Sequence, residues 1–258
     1  MKKWLLIFGV LCLFLALLMV IHKAHADEWA IEAMNKQVDD TNFLVNESCS
    51  GTKVSDRLIL TADHCIKEQF KDIEREEVND KGEVTKKVIR IAVPGYVSQK
   101  FFEGVRETRT YSYRYHIKAH DGTLDLSLLE TDAPLPKSGV AGVACQNLLR
   151  GNTVYAVGNP HVVLYATVTK GIVSSVQRNY EQLEITNGYE TAGQSNGFFQ
   201  FTAPIAPGSS GGAVYNDRGE LVGVVVRGGN GNIGLGVPLS DVRAFLQDNG
   251  VPNDCEDK

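Results

Sequence analysis

From residue 151 onward the chain alternates short apolar runs with turn signals: VYAVG, ATVTKGIVSSVQ, FFQFTAPI, GAVYN, ELVGVVV and IGLGVPL succeed one another with Gly, Pro, Asn and Ser between them. Strands at such spacing point to an all-β barrel or sandwich. Upstream, SCSGTKVSDRLILTADHC reads as two strands around a turn at Ser55 and Asp56, and DLSLLET, residues 125–131, is another strand. APLPKSG is a Pro- and Gly-rich linker of the kind that separates two halves. The end changes character: in PLSDVRAFLQDNGVP, Ser240 or Asp241 can cap a helix whose apolar side carries Val242, Phe245 and Leu246, and Gly250 and Pro252 stop it. Residues 67–118 form a mixed-charge insert, expected as a solvated loop and extended hairpin, and residues 27–40 a short exposed helix or loose arm.

With 258 residues, 43% of them hydrophobic, the chain can bury one large or two small cores. A net charge of -5 gives no general attraction to nucleic acid or anionic lipid, so no nucleic-acid partner is expected. The first residues form a targeting signal: MKK is the positive start, WLLIFGVLCLFLALLMVI the apolar run, and Ala24 to Ala26 an A-x-A cleavage site. The run also reaches the roughly 18 to 20 residues that span a bilayer, so residues 1–26 are a signal peptide or an N-terminal membrane anchor, the one expected membrane contact. Either way Lys2 and Lys3 stay on the cytoplasmic side and everything after residue 26 lies outside the cytosol. Cys49, Cys65, Cys145 and Cys255 then occupy a compartment where disulfides persist, and four cysteines allow three pairings.

Three separated segments carry chemistry. A serine hydroxyl is a weak nucleophile and needs a base within reach and a third group to orient that base. His64 closes the apolar strand LILTA, Asp125 opens DLSLLE, and Ser210 lies in the glycine-rich PGSSGG, where small neighbours let backbone N–H groups converge on an oxyanion. Rival residues read more simply. Asp121 in AHDGT is a turn former, Asp63 points away from the neighbouring ring if both lie on a strand, and Ser209 takes the variable place beside Ser210. His116 and His120 would share a metal only on a helix, where their stretch reads as strand and loop. Asn46-Glu47-Ser48 is a glycosylation sequon. No metal or organic cofactor is called for.

This combination resembles the trypsin-like serine proteases: TADHC is similar to that family's T-A-x-H-C and GSSGG to its G-x-S-G-G, in the order His, Asp, Ser. A closer resemblance is to the HtrA/Deg branch, carried by LDLSLLE, VYAVGNPHVVLYATVTKGIVSSVQR, APGSSGGAVYNDRGELVGVVV and GNIGLGVPLSDV across residues 48–246. The resemblance implies two packed six-stranded antiparallel β-barrels, about 41–133 and 140–240, within a protease domain of 27–258 ending in a helix at 240–249. It implies Ser210 as nucleophile, His64 as general base then acid, Asp125 as the group orienting the imidazole, and the amides of Gly208 and Ser210 as an oxyanion hole. Val226, Arg227 and Gly228 would pair with an extended polypeptide substrate as an added strand. A Cys49–Cys65 disulfide would close a loop of about 17 residues, on the order of 3 kcal/mol; Cys145 and Cys255 are left to pair or stay single.

Departures from the family sharpen these expectations. Ser209 stands where zymogen-activated relatives keep an Asp, so activation by that ion pair is not expected; loop ordering is, with RGGNGNIG as a candidate loop. Val226 stands where many relatives carry a hydroxyl that supports the catalytic Asp. Pro204, six residues before Ser210, replaces the acidic residue of trypsin, which favours cleavage after small or aliphatic residues. HtrA proteases usually continue into a PDZ domain, and the expectation here is a protease domain without one. The expected activity is an exported serine endopeptidase acting on unfolded or extended polypeptides. Its alternatives are a narrow-specificity secreted protease and a catalytically silent protease-like binding protein; the oligomeric state stays open.

Overall fold

The computed structural model describes residues 32–78, 84–92, 94–104, 106–136, 139–178, 197–229, 233–252 and 255. The leader and the tip of RGGNGNIG lie outside them. Among the described residues no helix is long and apolar enough to cross a membrane.

Two closed antiparallel barrels form. The first orders its strands β1 (Asn42–Val45), β2 (Cys49–Lys53), β3 (Leu58–Thr61), β8 (Leu126–Thr131), β7 (Arg106–Asp121) and β6 (Gly95–Glu103). The second orders β10 (Thr167–Arg178), β11 (Phe198–Phe201), β14 (Ile233–Pro238), β13 (Leu221–Gly229), β12 (Ala213–Tyr215) and β9 (Thr153–Gly158). The six-plus-six architecture is the expected one. Closure leaves neither barrel with an open edge strand.

Continuous apolar runs rather than clean alternation mark strands covered on both faces. In β13, Val222 and Val225 enter one core with Val154, Phe199 and Phe201, while Leu221, Val224 and Val226 join the other with Phe198, Val237 and Leu246. Phe43, Ile59, Leu60, Leu126 and Leu128 fill the first barrel and belong to that same second cluster, so one apolar body runs across both halves. Fully burying each such side chain is worth about 1.5–3 kcal/mol.

Three expectations need correction. The helix at 32–41, α1, is no loose arm: Met34 and Val38 are buried, and Thr41 Oγ1 shares a 2.8 Å hydrogen bond with Tyr215 OH of the second barrel. Only about half of the charged stretch 67–118 is an excursion. β4 (Phe70–Val78) and β5 (Val84–Ala92) pair as a separate two-stranded ribbon, whereas β6 and most of β7 are barrel staves. Finally, neither Ser240 nor Asp241 caps the terminal helix α2 (Leu239–Asp248). Pro238 takes the cap position in extended conformation with no side-chain bond, because β14 runs directly into the helix. Val242, Phe245 and Leu246 are buried as the pattern requires.

Candidate active site

His64 does not sit at a strand end. A 3-10 helix, Asp63–Gln69, begins two residues after β3, and the Cys49–Cys65 disulfide ties its first turn to the start of β2. Asp125 closes the turn from β7 to β8; Asp121 Oδ1 shapes that turn by accepting from the amides of Thr123 (2.8 Å) and Leu124 (3.0 Å), the role expected of it. The turn leaves Asp125 at φ +59°, a left-handed conformation uncommon outside glycine and most tolerable for Asp and Asn.

The two side chains meet directly. His64 Nδ1 lies 2.8 Å from Asp125 Oδ2 and 3.1 Å from Oδ1, and the His64 main-chain N–H donates to Oδ1 at 2.9 Å. Asp125 returns the constraint through its own carbonyl, which accepts from Asp63 N at 3.1 Å. The carboxylate is 4% exposed and the imidazole 33%, so the ring is fixed at its buried end and open at the other. With Nδ1–H donating to the carboxylate, the lone pair of a neutral ring resides on Nε2. Asp63 turns elsewhere, accepting from Ser127 Oγ at 2.7 Å and facing His120 at 3.3 Å. Helical rather than strand geometry puts it there.

Ser210 lies in the turn before β12. Gly211 adopts φ +81°, and a Cβ on it would overlap Thr61 Oγ1 and the Ser50 carbonyl, so glycine is what lets the turn seat against the end of β3. The amides of Gly208 and Ser210 find no acceptor among the described residues, while their neighbours are taken: Ser209 N by Ala206 O and Gly211 N by Val225 O. Unpaired N–H groups beside a serine are donors that can take an anionic oxygen. Ser210 Oγ itself donates to the Val226 carbonyl at 3.4 Å, a long contact, and makes no direct bond to His64. A bulge between Val225 and Arg227 leaves Val226 out of the β13–β14 register.

Val226 is buried, Arg227 half-buried and Gly228 exposed. Pro204 is exposed, with its carbonyl accepting from Thr169 Oγ1 at 2.7 Å. Ile205, which the sequence reading passed over, packs at Gly228: a Cβ on that glycine would stand 3.1 Å from Ile205 Cγ1. Its signal was its place beside Pro204 in TAPIAPG. Ser50 and Asn159 were also missed, although SCSG and VGNP contain them.

On β7, His116 and His120 face different carboxylates, Glu130 of β8 at 3.5 Å and Asp63 of the 3-10 helix at 3.3 Å, and four residue steps set them about 13 Å apart along the strand. Cys49, His64 and Cys65 bring their donor atoms within 4.8 Å of one another, but the disulfide takes both sulfurs. Cys145 pairs with Cys255, settling the pairing the sequence left open. A polar cavity lined by Cys145, Asn147, Asn216, Arg218 and Glu220 includes none of His64, Asp125 and Ser210.

Two barrels that meet around a serine turn and a histidine–carboxylate pair have the architecture of a chymotrypsin-like serine peptidase domain. The trypsin-like peptidase domain family matches residues 49–224, more than half of the chain, and the chain belongs to that family. Within it the likeness is to HtrA proteases. The chain is 32% identical over 135 residues to serine protease HTRA1B of Danio rerio, covering 52% of this chain and 27% of the relative. It is 35% identical over 108 residues to the HtrA-like serine protease of Staphylococcus aureus, covering 40% and 14%. This chain thus spans a third or less of the length of these relatives. The serine endoprotease structure from Yersinia pestis has the same fold, with a TM-score of 0.57 at 22% identity over 84% of this chain and 66% of the other.

Proposed function

We propose that this domain is an extracytoplasmic serine endopeptidase that hydrolyses unfolded or extended polypeptides through Ser210, His64 and Asp125. The observation that carries the reading is the pairing of the His64–Asp125 couple with two unpaired amides around Ser210. The substrate chain lies along Val226–Gly228, where its N–H claims the Val226 carbonyl; this removes the long bond to Ser210 Oγ, and the hydroxyl rotates toward His64 Nε2. Catalytic hydrogen bonds that are loose in an unliganded site tighten in this way on binding.

Oγ then attacks the scissile carbonyl carbon while its proton passes to Nε2. The carbonyl oxygen, now anionic, takes the Gly208 and Ser210 amides, each worth about 3 kcal/mol of barrier in such sites. Asp125 holds the tautomer and stabilises the imidazolium. Collapse returns the proton to the departing amine and leaves an acyl-enzyme, which water cleaves by the same steps reversed. Ile205 beside Gly228, with no acidic group at Pro204, supports cleavage after small or aliphatic residues. Two disulfides support residence in an oxidising compartment.

Digestion of casein by the protein and by its Ser210→Ala variant, with cut sites mapped by mass spectrometry, tests this. Cuts after small or aliphatic residues, absent in the variant, are the expected result; equal digestion by both contradicts it. One observation favours a second reading, a silent binding protein: Ser210 Oγ is engaged by Val226 and not by His64. Casein bound but never cleaved would support that reading.

A further inference from the structure

Every carbonyl of the turn 207–210 has a partner, and the pattern decides where its amides point. Pro207 O accepts from His161 N at 2.6 Å and Ser209 O from Gly212 N at 3.0 Å. Within a planar trans peptide the carbonyl and the next N–H point in opposite directions. Those two bonds therefore turn the Gly208 and Ser210 amides outward. The two remaining carbonyls go to a single residue of the other barrel: Ser50 Oγ donates to Gly208 O at 2.7 Å, and Ser50 N donates to Ser210 O at 2.7 Å.

Ser50 is fully buried, and its hydroxyl is saturated. It donates to Gly208 and accepts from Asn159 N at 2.8 Å and from Asn159 Nδ2 at 3.1 Å. Asn159, also fully buried, is satisfied in turn. Its Nδ2 donates to Phe43 O at 2.9 Å, and its Oδ1 accepts from Asn42 Nδ2 at 2.8 Å and Ala166 N at 3.0 Å. Ala166 ends the loop that also carries His161, so Asn159 fixes both the hydroxyl on Gly208 and the base of the loop on Pro207. Gly208, at φ +95°, is the flexible point between these holds.

We infer that Ser50, oriented by Asn159, is a positioning residue that keeps the Gly208 and Ser210 amides aimed at the oxyanion. Resting on the peptidase reading above, this assigns a catalytic consequence to a bond between the barrels that touches neither substrate nor His64. Ser50→Ala leaves the Gly208 carbonyl without its partner and lets the peptides on either side of Gly208 rotate. The fall is in kcat, with KM little changed, because the aim of the amides matters most in the transition state. Its size is roughly ten- to a hundredfold, below the hundred- to thousandfold typical of deleting an oxyanion donor outright.

The test compares full-length wild type, Ser50→Ala and Thr41→Val. Thr41→Val removes another buried bond to the second barrel, from α1 to Tyr215 OH, away from the turn. The readouts are kcat and KM on a chromogenic peptide, inhibition by a peptide aldehyde whose hemiacetal oxygen occupies the oxyanion position, and the thermal midpoint. Ser50→Ala is expected to lose kcat and aldehyde affinity in parallel, while Thr41→Val loses thermal stability and keeps both. Equal kcat in Ser50→Ala and wild type overturns the inference, as does a kcat loss in Thr41→Val matching that of Ser50→Ala at equal thermal cost. A wild type that neither cleaves the peptide nor binds the aldehyde defeats the peptidase reading itself.

Discussion

Asp125 illustrates how much one side chain can be asked to do. Its carboxylate, 4% exposed, accepts from the His64 amide and faces the His64 ring. Among the described residues it has no other side-chain partner. A hydroxyl at position 226 would normally be expected to help, and valine supplies none. Asp125→Asn keeps the shape but offers the ring an amide, favouring the wrong tautomer; kcat should fall about 10⁴-fold with the fold intact. Stopped-flow acylation beside a thermal melt checks this, and a loss under tenfold would show that the ring is oriented by something else. The proposed role of Arg227 uses its backbone alone, whereas a Cβ at Gly228 would crowd Ile205 at 3.1 Å.

Elements show where local pattern suffices and where it fails. DLSLLE and GAVYN were legible because apolar runs bounded by turn residues leave few alternatives to a buried strand. The Ser210 turn was legible because two glycines flank it. β6 and β7 were not: β6 alternates buried and exposed only from Gly95 to Gln99, and the outer half of the pair is solvated, so their charge disguises barrel strands as an insert. Cross-barrel partners such as Ser50 and Asn159 leave no local trace, because their meaning depends on residues more than 100 positions away. The β4–β5 ribbon pairs with no barrel strand. Replacing residues 71–91 by a short Gly-rich turn should shift Tm by less than about 4 °C, a change of around 1 kcal/mol at this size; a larger drop in calorimetry would mean the ribbon supports the barrels. The Cys145–Cys255 disulfide spans 110 residues, and replacing both cysteines by serine should cost up to about 4–5 kcal/mol in urea unfolding.

Buried tyrosines tie elements of the molecule together, and they set its alkaline limit. Tyr215 of the second barrel hydrogen-bonds Thr41 of α1, Tyr165 donates to Asn42 O, and Tyr115 accepts from Asn46 Nδ2. Burial pushes Tyr165 and Tyr215 up to about 12 and raises Tyr115 as well. Their folded-state values exceed the unfolded value near 10, so the stability they contribute is fully present below about pH 10 and is lost as pH rises toward about 12. Lys53 has the opposite sign, since burial lowers it and the unfolded chain holds its proton more tightly. Burial raises Tyr113 as well, so one such group stands against four tyrosines. The urea midpoint should therefore fall steeply above pH 10, and Tyr215→Phe should flatten the fall; a midpoint unchanged up to pH 11.5 would contradict this.

The central claim is an activated serine, and intact-mass spectrometry after a fluorophosphonate treats it most directly. Wild type should gain a single adduct on Ser210, His64→Ala should gain it at least a thousandfold more slowly in line with loss of the base, and Ser210→Ala should gain none. A wild type that stays unlabelled while folded, or one labelled no faster than His64→Ala, would contradict the account.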